Sequence, residues 1–311
     1  MINVLSLFDW ISCARVALDR AWFSVRTYYA SEIDKYANKI SQTNYPDIIR
    51  LWDVKCFDND LLGYWNWKWI DLLIWWSPCQ DLSIAKKNRK WLDGEKSSLF
   101  WEYVRILKII KPRCFLLENV ASMSKENQDI ISKALGVDPI MINAALVSAQ
   151  QRKRLFWTNI KWVTQPEDRK IFLKDILEDN VNDIFSLKTW WNFDGLNRFE
   201  KALTFTANSY ESNNKPIRVW QLWKWWQWDR IYSPLWKSVS LSANGWWRWA
   251  KTGLYETSDC EIRKLTPIEC ERLQWLPDWY TDWVSNTQRY KMLWNAFNVD
   301  VVAHILSFIK E

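Results

Sequence analysis

The chain predicts an α/β fold on a mostly parallel sheet, with a smaller loop-rich module set before a short C-terminal return. Three observations carry this expectation. Short apolar runs alternate with helical periodicity through the first 120 residues, the alternation stops near residue 161, and helical signals return near residue 266. Strands separated by helices are joined by crossovers, which makes neighbouring strands parallel.

Residues 4–8 are an apolar run that stops at Asp9, and Ala14, Ala17, Leu18 and Ala21 then share one helical side. That is a strand followed by a helix. Residues 25–30 lead to Ser31-Glu32-Ile33-Asp34 with helical residues 35–42 behind them, and residues 48–51 lead to Asp53 and Val54. Residues 71–74 run into the turn Trp75-Trp76-Ser77-Pro78-Cys79-Gln80. After a long helix at 97–110, residues 113–117 read as a buried strand ending in Glu118-Asn119. Ligands of such sheets sit beyond the carboxyl ends of the strands, where Asp9, Glu32, Asp53, Cys79 and Glu118 all fall. Residues 161–262 are rich in Asn, Ser, Thr, Lys, Arg and Trp and show little helical periodicity. Thr266-Pro267-Ile268-Glu269 then combines a capping Thr, a Pro in the first helical position and a Glu at the third. A closing helix is expected at 298–309, with His304 as a structural residue. The expected units are 1–160, 161–262 and 263–311, the last returning to the first.

At 311 residues and 49% hydrophobic content the chain can bury a sizeable core, and its net charge of +6 suits a polyanionic partner. Six Cys without C-x-x-C spacing and a single His predict reduced thiols, no disulfide framework and no metal site. No run of about 18 apolar residues predicts a membrane span, and the N-terminus lacks a signal-peptide pattern. A cytoplasmic protein is expected.

The composition is unusual in one respect. There are 27 Trp and 6 Gly, whereas an average chain of this length holds roughly 20 Gly. The excess sits at turn-like places: after Asp9, in Tyr64-Trp65-Asn66-Trp67-Lys68-Trp69, and in Asn244-Gly245-Trp246-Trp247-Arg248-Trp249. Excess and deficit cancel. This predicts that the source reads the UGA codon as glycine where the present sequence has most of its Trp. Trp101 and Trp157, within apolar helix and strand patterns, are expected to be genuine. A Trp-rich surface that stacks sugars or unpaired bases is the alternative, and it leaves the missing glycine unexplained.

With Trp read as Gly, six segments resemble the DNA cytosine-5 methyltransferases, which use S-adenosylmethionine. They are Phe8-Asp9-Trp10, Trp75 to Gln80, Glu118-Asn119-Val120, Gln150-x-Arg152-x-Arg154, Arg263-x-Leu265-Thr266-Pro267-x-Glu269-x-x-Arg272-Leu273-Gln274, and Leu293-Trp294-Asn295-Ala296. They stand in the family's order and span both ends of the chain. The resemblance implies a Rossmann-like methyltransferase domain with a target-recognition domain at 161–262.

C5 of cytosine becomes nucleophilic only after addition at C6, which a thiolate performs, and Cys79 is the expected nucleophile. Addition is easier when N3 is protonated or hydrogen-bonded, a role for Glu118. Arg152 and Arg154, two apart on an extended segment, are expected to project to one side and hold the flipped nucleotide. For the cofactor, Asp9 and Trp10 would form a tight turn at the methionine part, with Phe8 and Ile11 beside it. Glu32 with Ile33 would meet the ribose, Asp53 with Val54 the adenine, and Pro78, Asn295 and Ala296 would complete the wall. Gln80, Ser83, Arg218, Lys224, Arg230 and Arg248, together with Lys237 and Lys251, are the expected DNA contacts. Duplex DNA is the expected partner and a monomer the expected state, as a solitary bacterial or phage-borne enzyme. Two other readings stay open: a transfer-RNA cytosine methyltransferase with the same catalytic parts, and a DNA-binding relative without activity.

Overall fold

A computed structural model describes residues 1–51, 53–57, 67–76, 99–179, 181, 218–221, 230–241, 252–256 and 262–309. In the first part, β1 (Ile2–Leu7), α1 (Cys13–Arg20), β2 (Val25–Ser31), α2 (Lys35–Asn44) and β3 (Ile49–Arg50) precede β4 (Leu72–Trp76). There follow α3 (Leu99–Ile110), β5 (Cys114–Val120), α4 (Lys125–Leu135), β6 (Ile140–Asn143) and β7 (Lys153–Thr158). The sheet order is β3-β2-β1-β4-β5-β7-β6. The pairs from β3 to β5 are parallel, whereas β7 runs antiparallel to both β5 and β6.

All six residues of β1 are buried, as a central parallel strand covered on both faces requires. Side chains alternate between two cores. Val4, Leu72, Ile74, Trp76 and Leu116 join the core under α1 and the C-terminal helices, while Leu5, Leu7, Leu73, Trp75 and Leu117 join the core under α3.

A second sheet, ordered β11-β10-β9-β8, comes from β8 (Arg218–Gln221), β9 (Arg230–Tyr232), β10 (Leu254–Glu256) and β11 (Ile262–Arg263). The chain then returns through α5 (Pro267–Leu273), α6 (Asn286–Asn295) and α7 (Val299–Leu306), and α7 packs along α1. Thr266 caps α5 as the sequence predicts, its hydroxyl accepting from the Glu269 amide while the Glu269 carboxylate accepts from the Thr266 amide. His304 lies on α7 with Nε2 at 2.8 Å from the Thr164 carbonyl oxygen.

Three features differ from the sequence reading. β5 continues through Glu118 and Asn119 to Val120, because β7 pairs with it across that stretch. α4 and α6 were not expected; their buried residues are few, and Asn127 and Arg289 are among them, so the apolar stripe that announces a helix is weak. Trp101 is 47% exposed, not packed in the core.

Candidate active site

The parallel strands diverge in chain order on either side of the β1/β4 pair, which makes their carboxyl ends the crevice of this sheet. The turn after β1 has Phe8, Trp10 and Ser12 in the left-handed region at φ 58°, 55° and 60°. Beneath it lies the buried Asp9 carboxylate, which accepts from Ser12 Oγ and from the Tyr28 hydroxyl, each at 2.6 Å. Burial raises the Asp9 pKa, and the hydrogen bonds from Ser12 and Tyr28 oppose that rise. Asp9 therefore braces the turn from below. The buried Ile11 offers its carbonyl to the Tyr280 hydroxyl at 2.7 Å.

Glu32 follows β2. Its Oε1 accepts from the amides of Ile33 and Asp34, both at 2.8 Å, and its Oε2 accepts from the Trp10 amide at 3.1 Å. Burial raises its pKa and those three backbone bonds work the other way. Ile33 is exposed. Asp53, half-buried after β3, accepts from the Lys55 amide at 2.9 Å, and Val54 behind it is buried. The end of α6 completes this side. The Trp10 indole donates to the Met292 carbonyl at 2.7 Å, Lys291 pairs with Asp34 at 2.7 Å, and the Asn295 amide donates to the Lys291 carbonyl at 3.2 Å.

On the other side, Glu118 on β5 is 8% exposed and its Oε1 lies 2.7 Å from Arg154 Nε on β7. Arg154 thus supplies the counter-charge to the one carboxylate of this strand end. Arg152 goes elsewhere. Its guanidinium donates to the carbonyls of Trp294 at 3.2 Å and of the buried Ala296 at 2.7 Å. Arg152, just before β7, is held by the loop after α6, whereas Arg154 meets Glu118. Trp76, the last residue of β4, is the cross-strand partner of Glu118. Cys79 itself, with Pro78, Gln80 and Ser83, lies outside the described residues.

Of the expected DNA contacts, Arg218 and Arg230 open β8 and β9, which pair antiparallel. Lys224, Arg248 and Lys251 lie outside the described residues. Lys237 is a correction. It is fully buried, and its ammonium donates to the carbonyls of Ser148 at 3.1 Å and Ile171 at 2.6 Å. Burial lowers its pKa, and it ties the second sheet's neighbourhood to the first unit. Tyr28, Ser12, Tyr280 and Lys291 were missed by the sequence reading. Each acts on a partner distant in the chain or through an ordinary hydroxyl or amine, which leaves no motif to read.

The acidic groups and backbone amides of this crevice suit a ligand with hydroxyl and amine groups. Two side chains do not. The Trp76 ring lies stacked on Phe297 with centroids 3.5 Å apart, and the Trp10 indole occupies the space between β1 and α6. Among the described residues no cluster of His, Cys, Asp or Glu could hold a metal ion, and no helix is long and apolar enough to cross a membrane.

A family model described as C-5 cytosine-specific DNA methylase matches residues 2–311. The type II methyltransferase M.HhaI of Haemophilus parahaemolyticus is 26% identical, over 98% of this chain and 93% of that protein. M1.ScrFI of Lactococcus lactis subsp. cremoris is 28% identical over 99% of this chain and 78% of that one. Among solved structures, the S. pombe Dnmt2 methyltransferase aligns with a TM-score of 0.67 at 18% identity, covering 99% of this chain and 98% of that chain. A putative DNA modification methyltransferase encoded within an E. coli prophage aligns with a TM-score of 0.67 at 20% identity and the same coverage. These two share the Rossmann-like fold.

Proposed function

The chain belongs to the C-5 cytosine-specific DNA methylases, enzymes that use S-adenosylmethionine to methylate C5 of cytosine, and from that premise we propose that its substrate is a cytosine flipped out of duplex DNA. The observation that carries this reading is the ion pair of the buried Glu118 with Arg154 at the carboxyl end of β5. A carboxyl and a guanidinium held together at a crevice present a donor–acceptor edge to N3 and O2 of a pyrimidine. The Cys79 thiolate adds to C6, which moves electron density to C5. C5 would then take the methyl group of S-adenosylmethionine, releasing S-adenosylhomocysteine, and transfer of the C5 proton to water as the Cys79–C6 bond breaks would return the thiolate. Arg152 acts through the carbonyls it holds, placing Asn295 and Ala296 on the cofactor side.

Residues 1–160 form the catalytic unit in this reading, 161–262 the target-recognition unit, and 263–311 the return. Arg218 and Arg230 open adjacent strands of the second sheet, and in this reading both meet the DNA backbone. The protein works as a monomer in the cytoplasm of a bacterial or phage-infected cell.

The test uses protein purified from its source, labelled S-adenosylmethionine, and either duplex DNA or transfer RNA. Label is expected in DNA alone; label in transfer RNA overturns the substrate assignment. A duplex carrying 5-fluorocytosine should trap the enzyme covalently at Cys79, since fluorine cannot leave as the proton does, and Cys79→Ser should bind DNA without being trapped. Trapping of the Ser variant sinks the nucleophile assignment.

A further inference from the structure

Among the described residues, two helices end on a tryptophan in the left-handed conformation. After α1 the chain reaches Trp22 at φ 62°, whose amide donates to the Asp19 carbonyl at 3.2 Å while the Phe23 amide donates to Leu18 at 3.0 Å. After α5 it reaches Trp275 at φ 60°, whose amide donates to Arg272 at 3.0 Å while the Leu276 amide donates to Glu271 at 2.9 Å. This paired closure requires a left-handed residue just past the helix cap, where glycine is usual because a Cβ crowds the following carbonyl. α4 also ends on a left-handed residue, and there it is Gly136 at φ 72°.

Trp10, Trp162 and Trp279 extend the set at φ 55°, 67° and 67°. Among the described residues, five of the nine non-glycine residues with left-handed backbone are Trp, against 27 Trp in 311 residues overall. Three of the five gain little from burial: Trp22, Trp162 and Trp279 are 93%, 77% and 59% exposed. Trp279 is also the third residue of a turn closed by the Tyr280 amide on the Pro277 carbonyl, a place where positive φ selects glycine. Buried tryptophans carry a different fault. The indole N–H groups of Trp67, Trp75 and Trp76 have no hydrogen-bond partner, a rare condition for a buried donor. Trp157 shows neither fault: it is wholly buried on β7 and its indole donates to Ser132 Oγ at 2.9 Å.

We propose that the protein made in its own cell carries glycine at Trp10, Trp22, Trp76, Trp162, Trp275 and Trp279 and tryptophan at Trp157, one codon being read as glycine at the first six. Glycine at 10 and 76 then removes the two indoles from the crevice at the ends of β1 and β4, and the adenosyl cofactor takes their place. The crevice statement rests on the function proposed above; the helix-end statement does not.

Tandem mass spectrometry of the protein purified from its source reads these positions directly. Glycine at 10, 22, 76, 162, 275 and 279 with tryptophan at 157 is expected; tryptophan at the two helix ends overturns the helix-end assignment, and tryptophan at 10 or 76 overturns the crevice assignment. Two genes, one encoding the literal chain and one encoding glycine at the six positions, then separate the two statements. The glycine chain should unfold at higher urea concentration and bind S-adenosylmethionine by calorimetry without DNA, while the literal chain shows no binding heat. Equal urea midpoints overturn the backbone argument. A raised midpoint with equal cofactor binding overturns the crevice argument alone.

Discussion

Trp75 at the end of β4 and Trp157 on β7 lie in one cross-strand row, each directly opposite Leu117 of the strand between them. Both are completely buried in the same hydrophobic core. They differ at one atom. The Trp157 indole donates to Ser132 Oγ, whereas the Trp75 indole, wedged among Phe8, Phe100 and Tyr103, has no partner. Burial area alone would rank these residues equal. The difference is the desolvation of an N–H group, which costs about 1–3 kcal/mol when no acceptor replaces water.

The largest expected effect tests the satisfied side of this pair. Trp157→Gly should lower stability by about 3–5 kcal/mol, the usual range for emptying a buried Trp site, read from urea unfolding. A loss under about 1 kcal/mol would mean that Trp157 is as poorly fitted as Trp75. Lys237 makes the same point with a charge. Its ammonium is buried and doubly bonded to carbonyls, so Lys237→Met should cost about 1.5–3 kcal/mol and leave DNA affinity unchanged in a filter-binding titration. Weaker DNA binding at unchanged stability would restore it as a phosphate contact.

Ser132→Ala converts Trp157 into a copy of Trp75 by removing its acceptor. A loss of about 1 kcal/mol is expected, near the low end because Ser132 is only partly buried and water can reach it. Asp9 provides the smallest and most specific effect. Burial holds its carboxyl above its usual value of 3.8, so the folded state binds that proton more tightly than the unfolded chain. Its stabilising contribution is complete below about pH 3.8 and is lost as pH rises through the raised folded value. Asp9→Asn should flatten that part of the curve of urea midpoint against pH; an unchanged slope would show that the hydrogen bonds from Ser12 and Tyr28 fully offset burial.

The order of strands and helices through residue 120, the capped start of α5 and the Gly deficit were all legible in the chain, because periodicity, capping and turn chemistry are local and repeat on a scale of a few residues. Asp9, Glu32 and Glu118 were found for the same reason, each lying at or beside a strand's carboxyl end. Their partners were not. That Asp9 is held by Tyr28, that Glu118 faces Arg154 while Arg152 turns to Ala296, and that Lys237 is internal depend on which strands adjoin and on β7 running antiparallel beside β5. The local pattern sets which groups can form bonds, but an isolated stretch cannot encode which distant group arrives to bond with them. The same division separates the tryptophans: composition shows the Trp excess beside the Gly deficit, and only the folded chain shows which Trp have left-handed backbone or an indole without a partner.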